Sequence, residues 1–271
     1  MNIKKILVPT DFSNAANNAL IYASSIAELY GAEIDIVHAF TIPVMTARGK
    51  PVLQDQSILM ANQQAAEELL EKTKLLVSGK NRVRYNTKAI PIYWQMDLAA
   101  HLHSQHTDLI IMGTTGASGW KEIFLGSNTA RVIQDSSVPV LAVPEKAKLS
   151  QQLRIGLAYD GLEFKEIEKL SIVNSFRNVL HASIHIFQIM DTKDSPSSYL
   201  TELIRFLPGA EYNDVYGRVV ESGILKCIEL NHFEMLVMIP RKHGFFHNLI
   251  SGSITKRVAY EISVPLLAIP E

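Results

Sequence analysis

The chain has 271 residues, of which 47% are hydrophobic and 20% charged, and 26 Lys and Arg against 27 Asp and Glu leave a net charge of −1. That balance excludes a broad nucleic-acid or membrane-surface footprint, and no apolar run approaches the roughly 20 residues of a membrane span. The single cysteine, Cys227, excludes an intrachain disulfide framework and a cysteine-based zinc site. The length suggests about two domains, and the expected location is the reducing cytoplasm.

Residues 3–8 form an apolar run closed by Pro9-Thr10-Asp11, which reads as a strand buried on both faces of a parallel sheet. Ser13 or Asn14 can cap the helix that follows. Ala15, Ala16, Ala19, Leu20, Ala23, Ile26, Ala27 and Tyr30 recur at helical spacing, and Gly31 stands at its C-terminal cap. Residues 34–40 form a second strand. Residues 41–57, broken by Pro43, Gly49 and Pro51, read as a loop, and a long helix is expected over 56–77. A third strand over 83–90 is of mixed polarity, as suits a sheet edge. A short helix over 97–106, a strand over 109–112, a helix over 127–135 and a strand over 138–143 follow. Strands alternating with helices build βαβ units and a parallel sheet with right-handed crossovers.

The stretch most suggestive of function runs from Met112 to Thr129. An apolar strand stops at Gly113, Gly116 follows after two residues, and nine residues later Gly126-Ser127 opens a helix. Strand, glycine loop and helix N-terminus in that order make an anion site. Glycine lets a phosphate approach the backbone, and the free N–H groups and dipole of the helix start favour negative charge. In open α/β sheets ligands sit beyond the C-terminal strand ends, where the strand order reverses. Asp11 ends the first strand, so it shares a crevice with the glycine loop if the first and fourth strands are neighbours. His101, His103 and His106 are spaced two and three apart and do not share one helix face, so no metal site is expected. His38 reads as a core histidine, and Trp120 and Phe124 as loop residues that pack on the partner domain or close over a bound ligand.

The chain then repeats itself. VIQDSSVPVLAVPE from Val132 returns as VAYEISVPLLAIPE from Val258, an offset of 126 that also carries Gly126-Ser127 onto Gly252-Ser253. Near the start the offset is 149, taking Asp11 onto Asp160, so the second copy is 23 residues shorter, with the loss around residues 41–77. Two α/β domains are expected, 1–147 and 152–271. They are chemically unequal: Gly113 becomes Ile239, Gly116 becomes Lys242, Gln188 stands for Ala39, and Pro240, Arg241, Lys242 and His243 fill the loop. The second copy is therefore expected to keep the fold and lose or change the phosphate cradle, its basic loop reading first as solvated charge and alternatively as a group that holds an anion by charge.

The opening ILVPTDFS, the spacing of Gly113, Gly116, Gly126 and Ser127, and the ending VPVLAVPE together resemble the universal stress protein family over nearly the whole chain. The resemblance implies two tandem Rossmann-like α/β units, each an open-twisted parallel five-stranded sheet of order 3-2-1-4-5 with helices on both faces. It also implies that a copy with the full glycine motif binds ATP, with or without magnesium. Matched onto this sequence, Asp11 would hold the ribose or adenine end beside Pro9 and Thr10, and Ala39 would offer backbone to adenine. Met112, Gly113, Thr115 and Gly116 would line ribose and phosphates, and Gly126, Ser127, Asn128 and Thr129 would bind phosphates. No catalytic residue and no protein metal site are implied, because the Gly-Lys-Ser/Thr ending of a P-loop is missing and no general base stands near Lys121. The leading expectation is a nucleotide-binding regulator whose copies form an intramolecular pseudo-dimer through residues 138–143 and 264–269, with an unidentified protein partner and room for a homodimer. Its rivals are slow ATP hydrolysis or phosphoryl transfer, and a scaffold that binds no nucleotide.

Overall fold

The structure, a computed structural model, describes residues 1–41, 45–47, 50–52, 56–79, 81–92, 106–114, 126–190, 198–217, 219–241 and 263–271. Helices and sheet alternate as the sequence requires. The first half runs β1 (Lys5–Pro9), α1 (Asn14–Tyr30), β2 (Glu33–Thr41), β3 (Met45–Ala47), β4 (Lys50–Val52), α2 (Gln56–Lys74), β5 (Tyr85–Ile92), β6 (Leu109–Gly113), α3 (Ser127–Asp135) and β7 (Val140–Val143). The second half runs β8 (Arg154–Tyr159), a 3-10 turn (Ile167–Leu170), α4 (Ser171–Val179), β9 (Ser183–Met190), α5 (Ser198–Phe206), β10 (Glu211–Tyr216), α6 (Val220–Asn231), β11 (Met235–Met238) and β12 (Leu266–Ala268).

Ten strands make one sheet in the order β10-β9-β8-β11-β12-β7-β6-β1-β2-β5. Each half contributes five parallel strands in the order 3-2-1-4-5, and the mixed-polarity strand β5 is indeed an edge. The halves meet where β7 and β12 pair antiparallel, Leu141 opposite Leu267, with Val140 opposite Ala268 and Ala142 opposite Leu266. This pairing removes the hydrophobic edge that each half alone would expose. Strand alternation then divides the core. Ile6, Val8, Ile111, Leu141 and Leu267 face one side with residues of α1, α4 and α5, including the fully buried Phe176. Leu7, Ile110, Met112, Val140 and Leu266 face the other with residues of α3 and α6. Both core clusters contain residues of both halves. Tyr30 on α1 also reaches Ser175 on α4, hydroxyl to hydroxyl, at 3.0 Å.

One expectation changes. The stretch 41–57, read as a loop, carries the small antiparallel hairpin β3–β4. Its runs are three residues long and contain Pro51, too short for a period-two pattern to show. The shortening of the second copy falls around residues 41–77 as expected, ten of the 23 residues in the helix, since α2 has 19 residues and α5 has nine, and the rest in the connections beside it. The helix expected over 97–106 lies outside the described residues except for His106.

Candidate functional site

The condition set by the sequence is met: β1 pairs with β6, Ile6 beside Leu109 and Leu7 beside Ile110, while β2 lies on the other side of β1. The strand order reverses there, and Asp11 and Gly113 end two adjacent strands at the same end of the sheet. The chain leaves β1 through a tight turn. Thr10 N–H donates to the Val37 carbonyl at 2.8 Å, and Phe12 N–H donates to Thr10 Oγ1 at 3.0 Å. Asp11 is exposed and its Oδ1 accepts Ser13 N–H at 3.1 Å, while Ser13 Oγ accepts Ala16 N–H and caps α1. Phe12 sits at φ 65, a conformation rare for a bulky side chain. Its ring lies 4.4 Å from that of His38, whose Nδ1 is 2.7 Å from the Thr10 carbonyl. A carbonyl only accepts, so Nδ1 carries the proton. His38 is thus the wall of the turn.

Gly113 has a different reason to be glycine from the one the motif suggests. A Cβ there would stand 2.8 Å from the Ala15 carbonyl carbon and 2.9 Å from the Ala16 nitrogen. The missing side chain lets the first turn of α1 abut β6. From the same strand end Thr114 N–H donates to the Val143 carbonyl at 3.1 Å, and its own carbonyl accepts Gly126 N–H. The two ends of the glycine loop are therefore tied together, with Thr115 and Gly116 outside the described residues. Gly126 is the N-cap of α3 and offers no side chain to the cap. The N–H groups of Ser127, Asn128 and Thr129 have no intrahelical acceptor, and no acidic residue stands in the first turn to neutralise them. Thr129 is buried and donates its hydroxyl to the Gly113 carbonyl at 2.8 Å, fixing the start of α3 against the end of β6.

The family model described as "Universal stress protein family" matches residues 2–144. The chain belongs to the universal stress protein family. A universal stress protein of Methanocaldococcus jannaschii is 30% identical over 146 residues, covering 54% of this chain and 84% of the relative. One from Synechocystis is 23% identical over 288 residues and spans 98% of this chain and 99% of its own. The crystal structure of a universal stress protein from Archaeoglobus fulgidus superposes over 100% of this chain and 99% of its own with a TM-score of 0.76, at 19% identity, a likeness of fold.

The second half of this universal stress protein carries the same strand ends, and among its described residues side chains stand where the first half has glycine. Ile239, at Gly113's repeat position, packs against the core. The counterpart of α1 starts late, with a 3-10 turn and only the nine residues of α4 where α1 has 17. Arg241 was expected among solvated basic residues; instead its side chain is 12% exposed and pinned. Nε lies 2.7 Å from Asp160 Oδ2, one terminal nitrogen 2.7 Å from Glu271 Oε1, and the other donates to the Glu163 carbonyl at 2.8 Å. The guanidinium also lies 5.8 Å from the centre of the Phe164 ring, which stacks on buried Tyr159. Lys242, Gly252 and Ser253 are outside the described residues.

One sequence alignment is corrected. Residues 33–40 and 183–190 show matching burial patterns, which set Gln188 at His38's place and Ile189 at Ala39's. The offset slips by one between β8 and β9. Gln188 accordingly lies over Gly161 (φ 81) as His38 lies over Phe12.

Of the sequence-selected residues that are described, Asp11, Ser127 and Asn128 are exposed, Ala39, Gly113 and Gly126 half-buried, and Pro9, Thr10, Met112 and Thr129 buried. Sequence reasoning missed three groups at this end of the sheet. Phe12 and His38 shape the turn, and a glycine at Phe12's repeat position was the available signal of positive φ. Thr114, 6% exposed, has a hydroxyl with no hydrogen-bond partner among the described residues, which no pattern announces. Among the described residues no cluster of His, Cys, Asp and Glu could hold a metal, and no helix is long and apolar enough to cross a membrane.

Proposed function

We propose that the first half binds ATP in the crevice between the ends of β1, β2 and β6 and the start of α3, and that the protein acts as a nucleotide-responsive regulator in the cytoplasm. One observation carries this reading. An uncapped, uncharged helix N-terminus is held by the Thr129–Gly113 hydrogen bond at the strand-order reversal, and the adjacent strand ends in an exposed carboxylate. The residues present fit the nucleotide. The amides of Ser127, Asn128 and Thr129, with the Ser127 hydroxyl, suit phosphate oxygens. Asp11 suits the ribose hydroxyls, and Ala39 is small enough to let adenine approach the backbone of β2. Pro9, Thr10, Met112 and Gly113 would form the floor with Gly126 beside them, and the motif assigns Thr115 and Gly116 to ribose and phosphates as well. Magnesium would be held by the phosphates and water.

In this reading residues 1–147 are the binding domain and 152–271 a degenerate partner that completes a pseudo-dimer. Among the described residues of the cleft none is placed as a nucleophile-positioning base, so the reading is of binding without turnover. Equilibrium dialysis with magnesium and labelled ATP tests it: one site per chain, weakened by Asp11→Ala, is the expected result. Equal retention by wild type and the double variant Asp11→Ala, Ser127→Ala would refute the assignment of the site.

A further inference from the structure

The residue that fills the second cleft does more than crowd it. Arg241 follows β11, Asp160 ends β8, Glu271 follows β12, and the Glu163 carbonyl belongs to the turn after β8. One guanidinium thus ties together three strand ends and the turn. Its three contacts come from three different nitrogens, at 2.7, 2.7 and 2.8 Å. Asp160 is the repeat counterpart of Asp11, the carboxylate that the proposed function gives to the ligand. Both acids are exposed, and both accept the N–H two residues on, from Ser13 in the first cleft and Leu162 in the second. In the second a cation from the chain itself sits on the acid, its own side chain 12% exposed and backed by Phe164.

We propose that Arg241 is a built-in occupant of the second cleft, which takes on Asp160 the place a ligand takes on Asp11. It holds the β8, β11 and β12 ends in the fixed arrangement that the first half reaches only when loaded. The second half is then a rigid, nucleotide-independent platform, and β12 passes that rigidity to the first half through its pairing with β7. The comparison with a loaded first half rests on the reading above; the clamp itself does not.

Hydrogen exchange on the full chain tests both and tells them apart. In the wild type, magnesium-ATP slows exchange at residues 126–130 and leaves residues 160–162 and 266–271 unchanged. Arg241→Met, which keeps the aliphatic stem and removes the charge, speeds exchange at 160–162 and 266–271 by roughly tenfold or more, with residues 5–9 unaffected. Arg241→Lys fails to restore it, because a single ammonium does not pair with Asp160 while donating to Glu271 and the Glu163 carbonyl as the planar guanidinium does. If Arg241→Met unfolds the whole chain, Glu271→Gln, which leaves the Asp160 contact in place, speeds the same segments. Unchanged exchange at 160–162 and 266–271 in whichever of these variants stays folded overturns the clamp. So does an ATP effect in the wild type as large in the second half as in the first. If ATP protects neither half, the nucleotide reading fails, and the charge-removing variants still decide the clamp.

Discussion

Leu141 and Leu267 face each other across the antiparallel seam, and they are the same position of the repeat, since the offset of 126 carries one onto the other. Val140 and Ala142 pair with the counterparts of Ala142 and Val140, Ala268 and Leu266, as a two-fold axis through the leucine pair requires. The seam therefore has the self-complementary form of a symmetric dimer interface inside one chain. Both leucines are fully buried. Leu141→Ala and Leu267→Ala should each cost about 2–5 kcal/mol of stability. The double variant should cost less than their sum, by about 0.5–3 kcal/mol, because the two share one cavity. Urea unfolding of the four proteins measures this, and strict additivity would argue against a shared core at the seam.

Gly113 is where stability and binding meet. A Cβ there meets backbone of Ala15 and Ala16, which cannot rotate aside, so Gly113→Ala should cost about 1–3 kcal/mol. It should also lever the start of α1 away from β6 and weaken nucleotide binding. Thermal melting and an ATP titration of the same variant check both parts. A variant as stable as the wild type would show that α1 can shift freely.

How far the sequence foretold this depends on the kind of interaction. The strands themselves and the edge position of β5 follow from apolar periodicity and polarity, which are local signals, whereas the strand order came with the family resemblance and the seam with that resemblance and the repeat. The reason for Gly113 was not legible, because α1 and β6 are about a hundred residues apart and glycine in a motif invites a ligand explanation first. Arg241 was misread as solvated for a similar reason: Asp160 and Glu271 become its neighbours only through the strand order. Gln188 was set one residue off because a repeat offset assumes no slip between strands, whereas burial of alternate residues reveals it.

The Tyr30–Ser175 contact joins the halves on the helix side and predicts an alkaline sensitivity. Burial pushes the Tyr30 phenol up to about 12, although the hydrogen bond with Ser175 works the other way. In the unfolded chain the phenol ionises near its ordinary value of 10. Its contribution is therefore fully present below pH 10 and is lost as pH rises through about 12. Tyr30→Phe should flatten the fall in melting temperature across that window and remove one late-ionising phenol from the ultraviolet titration. An unchanged alkaline limb would mean that the phenol is not held at this contact.

Thr129 offers a test of how α3 is aimed. Its hydroxyl donates to the Gly113 carbonyl from a site 3% exposed, so Thr129→Val should leave a part-buried carbonyl without that donor at a cost of about 1–2 kcal/mol. Thr129→Ser should recover most of the ATP affinity. If valine and serine variants bind alike, the hydrogen bond does not set the helix position.

The central claim is that one crevice per chain, in the first half, takes a triphosphate while its duplicate is closed by the chain itself. Isothermal titration of the full chain with magnesium-ATP tests it most directly. The account predicts one site per chain, lost in Gly113→Val and retained in Arg241→Met. Two equivalent sites, or a single site that survives Gly113→Val, would contradict it.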